Sequence, residues 1–347
     1  MARNSHEKSY VTIKDIARQL GVSTSTVSRA LRNQPDVNPE TKQRVQELAK
    51  QLNYQPNLFA SGLVSRRTRL LGVIVPQIAN HFFAAITSGI QHVAYQQEYR
   101  VIICESDHSM TRERVNIEAL LSIRVDGIIM APLMDYSQQT QAHIRAILDR
   151  HVPLVYVDRV QQKVPASSVL IDDYHAAKQA TEYLISTGCR RLAHFSGLDW
   201  TSTSLNRKRG FLAALQESGL EIREDWIIET GFEPWKAAEI TRELFQQEET
   251  PDAIIGVNDR VMAGATHTLG EMGIKIPEEV SLIGFSDNPI SSLIQPTLSS
   301  VRQPAYEMGE VATKMLLEQI DQEQIPQQPE TRILDTRIIL RESTRLI

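Results

Sequence analysis

The sequence has little of what several large classes of protein require. Its 347 residues include only 2 cysteines, Cys104 and Cys189, and 9 histidines without metal-ligand spacing. Neither a disulfide framework nor a zinc site is therefore indicated. The sequence also lacks a G-x-x-x-x-G-K-[ST] phosphate loop, a G-x-S-x-G elbow and an H-E-x-x-H helix. We expect no catalytic residue, metal or cofactor, and hence no enzyme.

Long apolar segments are missing as well. No run of about 18 apolar residues occurs, and the first ten residues, MARNSHEKSY, contain no apolar h-region. We therefore expect a cytoplasmic protein that neither spans a membrane nor is exported.

Charge is distributed unevenly along the chain. Residues 1–69 hold 12 Lys and Arg against 5 Asp and Glu, whereas residues 70–347 hold 25 against 37. The net charge of −5 thus combines +7 on a short amino-terminal segment with −12 on the rest. A basic head on an acidic body is typical of a chain that binds nucleic acid through the head alone.

The segment Val11–Leu31, VTIKDIARQLGVSTSTVSRAL, has the pattern of two short amphipathic helices around a tight turn. Thr12 and Asp15 have the spacing of a capping box, and Gly21 can adopt the positive φ that the turn needs. A third helix is predicted to begin at Pro39. The apolar faces predict a small core of Ile13, Ile16, Ala17, Leu20, Val27, Ala30, Leu31, Val45, Leu48, Ala49 and Leu52.

The second helix would present short polar side chains and one long cation to its surroundings. This set can read base edges and bind phosphates, and it comprises Thr24, Ser25, Thr26, Ser28 and Arg29. Residues 1–56 are therefore predicted to form a helix-turn-helix DNA-binding domain. The alternative is an ordinary helical bundle whose Ser- and Thr-rich face is only solvated.

From residue 70 onward, short Val- and Ile-rich runs alternate with helix-length segments. Strands are predicted at 71–75, 101–104, 127–131, 154–157, 169–171, 192–195, 253–257 and 280–285. Such alternation predicts parallel sheets with helices on both faces, because parallel neighbours need a crossover. The segment is too long for one such core, so two doubly wound lobes are expected.

Ligands bind beyond the carboxyl ends of the strands in sheets of this kind. Several polar residues stand at these ends, and we expect them to line one cleft between facing lobes. They include Asp158 with Arg159, Asp172 with Asp173, Asn258 with Asp259, and Ser286 with Asp287.

Motifs in the right order along nearly the whole chain resemble the lactose/galactose repressor (LacI/GalR) family. They are VTIKDIARQLGVSTSTVSRALRN, LNYQPN, ASGL, RVDGIIMAP, PLVYVDR, NRKRGF, VNDRVMAGA, VSLIGFSDNP and RIILREST. The resemblance implies a ligand-responsive regulator that binds palindromic operator DNA as a homodimer. The expected role is repression of carbohydrate metabolism genes, with a sugar or sugar derivative as effector.

The resemblance implies an all-α helix-turn-helix head followed by a two-lobed α/β core, like that of periplasmic binding proteins. Residues 57–69 match a hinge helix and linker, and residues 70–347 match an effector-binding and dimerisation core. The first lobe is expected at about 70–171 and 304–331, and the second at about 172–303 and 332–347. No leucine heptads follow RIILREST, so a dimer rather than a tetramer is expected.

Carried over residue by residue, the resemblance implies DNA contacts in the head. Thr24 and Ser25 match base-selecting positions of the recognition helix. Thr12 and Ser28 match phosphate contacts, and Arg29 matches an arginine that contacts DNA in the major groove.

The hinge is expected to contact DNA as well. Asn57 lies at its start, and Leu63 matches a leucine that wedges into the minor groove. A wedge must be apolar and stiff enough to unstack a base step. The alternative is that Leu63 packs on the body domain. The cations Arg66, Arg67 and Arg69 would favour phosphates or remain solvated.

In the core, the resemblance implies that Arg207 binds polar groups of the effector. Its guanidinium is a rigid fork of donors that suits vicinal hydroxyls or a carboxylate. Phe82, Phe83 and Phe232 match aromatic residues beside the ligand, with Trp235 at the rim. Asp158 and Asn258 suit hydroxyl groups, whereas Asp259 either contacts the ligand or only caps the following helix.

One position departs from the family pattern. Relatives usually carry Asp where this chain has Ser286, which is followed by Asp287. Either Asp287 substitutes from a shifted loop, or the effector differs from a simple hexose.

Arg159 either pairs with Asp158 or binds an anionic group. Two other functions remain: a regulator controlled by a partner protein, and a solute-binding protein, against which the basic head argues.

Overall fold

The computed structural model describes residues 11–54, 67–133, 138–322, 326 and 328–346. It divides into two compact units, the first ending at Thr68 and the second beginning at Arg69. The predicted DNA contacts Asn57 and Leu63 lie outside the described residues.

The head consists of three helices, Ile13–Leu20 (α1), Thr24–Leu31 (α2) and Pro39–Gln51 (α3). The Asp15 carboxylate accepts hydrogen bonds from the Thr12 backbone N–H and hydroxyl at 2.9 and 2.6 Å, which hold the pKa of Asp15 below its ordinary value. Gly21 ends α1 with φ at 65°. Six of the residues predicted for the core of the head are buried in it, together with Val37: Ile16, Ala17, Val27, Ala30, Val45 and Ala49. The other five, Ile13, Leu20, Leu31, Leu48 and Leu52, are partly buried and pack against it.

The first lobe of the second unit is built on a six-stranded parallel sheet. Its strands are Leu70–Val75 (β1), Arg100–Glu105 (β2), Gly127–Met130 (β3), Leu154–Val157 (β4), Ser167–Ile171 (β5) and Thr331–Leu334 (β11). Its helices are His81–Gln96 (α4), Met110–Ser122 (α5), Gln138–Asp149 (α6) and Ala305–Gln322 (α11). The strand order is β11-β5-β4-β3-β1-β2, with α4 and α11 on one face and α5 and α6 on the other.

The second lobe repeats this plan with the order β12-β10-β9-β8-β6-β7. Its strands are Leu192–Ser196 (β6), Ile227–Glu229 (β7), Ala253–Gly256 (β8), Ser281–Phe285 (β9), Ser299–Arg302 (β10) and Arg337–Ile339 (β12). Its helices are Asp173–Ser186 (α7), Ser202–Glu217 (α8), Pro234–Leu244 (α9) and Asp259–Glu271 (α10), with short 3-10 helices at Glu224–Trp226 and Pro289–Ser292. Only β12 is antiparallel among these six strands, and it pairs with β10.

The predicted pair of doubly wound sheets is confirmed, and every strand predicted from an apolar run is present. Three strands were not predicted, β7, β10 and β11, because each has three or four residues and at least one polar side chain among them. Strand β12 lies in the RIILREST motif, where a strand was expected. Strand β11 pairs with β5, so residues 332–334 lie in the first sheet and not in the second lobe as expected. The other predicted boundaries stay predictions.

The chain passes between the lobes three times. It crosses after Ile171, again between Arg302 and Ala305, and finally between Leu334 and Arg337. The carboxyl ends of the parallel strands in both sheets therefore border the same cleft. In the described part of the chain, no helix is long and apolar enough to cross a membrane.

Glycines bring neighbouring helices into direct backbone contact in both lobes. A Cβ on Gly89 of α4 would overlap the carbonyl oxygen of Tyr306 in α11, and one on Gly210 of α8 would overlap that of Tyr174 in α7. The absence of a side chain at these positions sets the distance between the paired helices.

Candidate functional sites

The start of α2 forms the exposed surface of the head that was predicted to read bases. Thr24 and Ser25 are exposed, whereas Thr26, Ser28 and Arg29 are half-buried. The Ser23 hydroxyl oxygen accepts a hydrogen bond from the backbone N–H of Thr26 at 3.0 Å and so fixes the first turn. The two residues predicted to select bases are thus held on an ordered, accessible helix end.

Three of the other predicted DNA contacts already have partners within the head. Arg29 Nη1 donates to Asp36 at 2.8 Å, Ser28 Oγ accepts from Arg32, and the hydroxyl of Thr12 donates to Asp15. The predicted contacts require these side chains to exchange their partners for phosphate or base atoms. For Arg29 the cost of this exchange is small, because an ion pair as exposed as that with Asp36 contributes about 0–1 kcal/mol.

A cleft of about 420 Å³, a volume that includes part of its opening to solvent, lies between the two lobes. Seven of the eight predicted effector contacts line it: Phe82, Phe83, Asp158, Arg207, Phe232, Asn258 and Ser286. The cleft has the mixed aromatic and polar lining of a small-molecule site. Its further lining residues are Gln77, Asn80, His108, Arg159, Thr203, Val257 and Gln303.

Each lobe presents the amino-terminal end of a helix to this cleft. Asn80 caps α4 by accepting from the backbone N–H of Phe82 at 3.1 Å, and Asn258 caps α10 by accepting from Val261 at 2.9 Å. The carboxamide oxygens are therefore committed to the helices. The carboxamide nitrogens remain as donors toward a ligand.

Arg207 is held by the second lobe in a fully formed network. Its Nε donates to Asp173 at 2.7 Å, its Nη1 donates to the carbonyl of Val257, and its Cζ lies 4.2 Å from the centre of the Phe285 ring. Burial raises the pKa of Asp173 to about 6, although the charge of Arg207 opposes the shift. The guanidinium is thereby fixed in the wall of the cleft.

Asp158 and Arg159 follow β4 at the edge of the first lobe, and both are buried. Asp158 Oδ2 lies 3.4 Å from Arg159 Nε. Burial raises the pKa of Asp158, while the charges of Arg159 and Arg207 oppose that shift. The guanidinium of Arg159 also lies between two rings, with its Cζ 5.6 Å from the centre of Phe83 and 5.5 Å from that of Phe232.

The backbone is strained where it turns side chains into the cleft. Asp158, Phe232 and Ser286 have φ values of 66°, 68° and 100°, a region that residues with a Cβ rarely adopt. The Phe232 ring stacks on His108 with centres 5.4 Å apart and planes 15° apart. Burial, and next the charge of Arg159, lower the pKa of His108 to about 4, so its ring is neutral at neutral pH.

The position of Asp287 bears on one of the two explanations offered for the sequence departure at Ser286. Ser286 lines the cleft, but the carboxylate of Asp287 accepts from Arg302 and Arg341, each at 2.6 Å. Asp287 is not among the residues that line the cleft, so its predicted contact with the effector stays a prediction without support from the lining. With φ at 51°, its backbone turns the side chain toward those arginines.

Asp259 and Trp235 are not among the lining residues either. Asp259 accepts from the Ser300 hydroxyl and the Asn288 backbone N–H, each at 2.6 Å. Burial raises its pKa to about 7 against the effect of these hydrogen bonds. Trp235 is 60% exposed.

Sequence reasoning missed several lining residues. His108 follows β2, so the rule applied to the other strand ends would have found it. Asn80 lies in the segment from Pro76 onward that follows β1, a strand end the rule had selected without singling out this residue. Gln303 follows β10, a strand with no apolar run to reveal it.

A model of periplasmic binding proteins and the sugar-binding domain of the LacI family matches residues 68–339, and one of bacterial regulatory proteins of the lacI family matches residues 12–57. The chain belongs to the LacI family of transcription regulators. Members of this family bind DNA through a head of the kind described above. The resemblance seen in the sequence is confirmed.

Relatives within the LacI family match over almost their full lengths. Catabolite control protein A of Priestia megaterium is 33% identical over 96% of this chain and 99% of its own. The ribose operon repressor of Halalkalibacterium halodurans is 31% identical over 96% and 97%. The solved complex of the transcriptional regulator CelR with cellobiose is 27% identical, with a TM-score of 0.71 over 96% of this chain and 99% of that one.

Proposed function

We propose that this regulator represses genes of carbohydrate metabolism by binding a palindromic operator as a homodimer, and that a small molecule bound between the lobes controls its affinity for DNA. The observation that carries the proposal is the presence of an exposed recognition-helix end and a buried polar cleft in one chain. The protein acts in the cytoplasm and catalyses no reaction.

The DNA-facing residues take the roles that the sequence predicts. Thr24 and Ser25 select bases, Thr12 and Ser28 contact phosphates, and Arg29 leaves Asp36 to contact the major groove. Asn57 contacts DNA at the start of the hinge, and Leu63 wedges into the minor groove, at a cost in base stacking that the bent DNA offsets through further contacts.

The effector is held by groups from both lobes. Arg207 and Asn258 supply donors from the second lobe, and Phe82, Phe83 and Asp158 supply ring faces and a carboxyl group from the first. The names of two relatives, a ribose operon repressor and a regulator solved with cellobiose, support a carbohydrate-related ligand. The buried polar lining favours a small molecule over a protein as the controlling input.

Selection of binding sequences from random duplex DNA by the full-length protein tests the first part of this proposal. We expect a palindromic consensus that is lost when residues 1–69 are removed. Enrichment of unrelated sequences, or unchanged binding by the truncated chain, would refute it.

Leu63→Ala tests the hinge on the selected operator. We expect weaker specific binding and less DNA bending, with unchanged ligand affinity, because the apolar wedge is lost. Electrophoretic mobility of circularly permuted DNA fragments measures the bend. The control is Leu293→Ala, the same change at a residue on the surface of the effector-binding unit, where the side chain is 77% exposed. Unchanged binding and bending in Leu63→Ala would place this leucine outside the interface.

A further inference from the structure

Arg159 is buried in the cleft with much of its hydrogen-bonding capacity unused. It is 3% exposed, and no acceptor in the described part of the chain bonds its Nε or Nη1. The carboxylate of Asp158 forms an ion pair with Nε at 3.4 Å, but the pair does not meet the geometry of a hydrogen bond. A buried guanidinium stays charged, and burial without partners is unfavourable unless a ligand supplies them.

Of the two arginines that line the cleft, only Arg159 has this shortage. Arg207 lines the same cleft at 4% exposure, yet it has a carboxylate on Nε and a carbonyl on Nη1. The fold can therefore provide hydrogen-bond acceptors for a guanidinium as buried as this one. Around Arg159 it provides the faces of two aromatic rings and no acceptor for Nε or Nη1 among the described residues.

Other side chains of the cleft also offer donors. The oxygens of Asn80 and Asn258 are bound to backbone N–H groups, which only an oxygen can accept, so their nitrogens are available. Gln77 uses its oxygen to accept from Arg260, and the nitrogen of Gln303 has no partner among the described residues. The lining is thus rich in N–H groups.

The two helix ends act in the same direction. Helices α4 and α10 have 16 and 13 residues, and the residues that cap them line the cleft. The amino-terminal end of a helix carries partial positive charge and favours anions.

We infer that the effector carries an oxyanion, a phosphate ester or a carboxylate attached to a small ring compound, and that Arg159 is the residue that binds it. This inference rests on the proposed function and specifies the chemical class of its effector. An oxyanion accepts hydrogen bonds only and so matches the unused donors, whereas a neutral sugar hydroxyl both donates and accepts. The rings of Phe83 and Phe232 pack against the guanidinium of Arg159 and restrict its movement.

Asp158 is the carboxyl group nearest to this site. Burial raises its pKa, which favours uptake of a proton in the presence of an anion. A protonated Asp158 would donate to the ligand instead of repelling it. His108, stacked on Phe232, has an Nδ1 without a partner among the described residues and can add one more bond.

Calorimetry on the full-length protein at constant ionic strength tests the inference with matched probes: glucose and glucose 6-phosphate, ribose and ribose 5-phosphate, gluconate, and inorganic phosphate. We expect at least one anionic sugar to bind about tenfold or more tightly than its neutral partner. Gluconate against the phosphate esters distinguishes a carboxylate from a phosphate.

Variants then assign the preference to one side chain. Arg159→Gln should remove the preference for the anion, and Arg159→Lys should restore part of it. Arg114→Gln, the same change on an exposed face of α5, is the control and should leave it intact. Circular dichroism checks that each variant is folded. If Arg159→Gln does not fold, the comparison of Arg159→Lys with the parent protein still tests the inference.

Several results would overturn the inference: a neutral sugar that binds as tightly as its anionic partner, an anion preference that survives Arg159→Gln, or no binding by any anion of the set. Operator affinity measured in parallel separates this inference from the proposed function. If only a neutral sugar changes operator affinity, the proposed function stands and the inference of an oxyanion effector is refuted. If an anion binds without changing operator affinity, the inference of an oxyanion stands and control of DNA binding by the ligand is refuted.

Discussion

The two lobes share one architecture but treat their cleft arginines differently. Each has six strands in the corresponding order and an asparagine that caps a helix at the cleft. In the second lobe, Asp173 and a backbone carbonyl satisfy Arg207, while in the first lobe Arg159 has a carboxylate nearby but no hydrogen bond to Nε or Nη1 from the described residues. Burial alone therefore does not define the role of an arginine in the cleft. Arg207 both lines the cleft and stabilises the fold, whereas the unbonded N–H groups of Arg159 are available to a ligand.

The largest expected effect tests this difference at the arginines themselves. Arg207→Gln leaves the buried Asp173 carboxylate and the Val257 carbonyl without their donor, and we expect the free energy of unfolding to fall by about 3 kcal/mol. Arg159→Gln makes the same change in the first lobe. Since no hydrogen bond from Nε or Nη1 is lost there, we expect a decrease of roughly 1 kcal/mol or less. Urea unfolding measures both.

Equal losses in the two variants would contradict the comparison. They would mean that the 3.4 Å ion pair of the first lobe stabilises the fold as strongly as the bonded pair of the second.

Helix packing provides a test in which the lobes should behave alike. Gly89→Ala and Gly210→Ala each force a Cβ against a carbonyl of the neighbouring helix, and we expect losses of about 1–3 kcal/mol. Gly270→Ala is the control, because no atom lies within 4 Å of its added Cβ. It should stabilise α10 by roughly 0.5–1 kcal/mol through helix propensity. Thermal unfolding that spares one of the first two variants would show that the lobes pack differently.

A further test concerns pH and the second lobe. The pKa of Asp259 is about 7 in the folded chain against an ordinary 3.8, so between these values the folded state binds more protons than the unfolded state. Stability from this group therefore falls as pH rises from about 4 to 7. Asp259→Asn resembles the protonated form, so its Tm relative to the parent protein should rise across this interval. Asp199→Asn, at an exposed position, should show no such trend.

A relative Tm of Asp259→Asn that stays flat or falls from pH 4 to 7 would contradict the raised pKa. In that case the bonds from Ser300 and Asn288 would outweigh burial.

The sequence was sufficient for the large features and for much of the cleft. Apolar runs and strand ends predicted both sheets and brought Asp158, Asn258 and Ser286 to the cleft, and the family motifs added Arg207 and the aromatic residues. The sequence did not reveal the arginine partners of Asp287, because two successive residues with positive φ turn its side chain to Arg302 and Arg341, and such a rotation leaves no pattern in the sequence. The state of Arg159 depends on hydrogen-bond geometry, which likewise no motif encodes.

The three passages of the chain between the lobes limit how this core can evolve. No single cut in the polypeptide yields a complete lobe, because the first sheet takes β11 from beyond the second passage and the second sheet takes β12 from beyond the third. Recombination that exchanged one lobe with that of a relative would need three matched junctions. We therefore expect ligand preference to change in this protein by substitution of individual residues at the cleft, and not by transfer of a lobe as a unit.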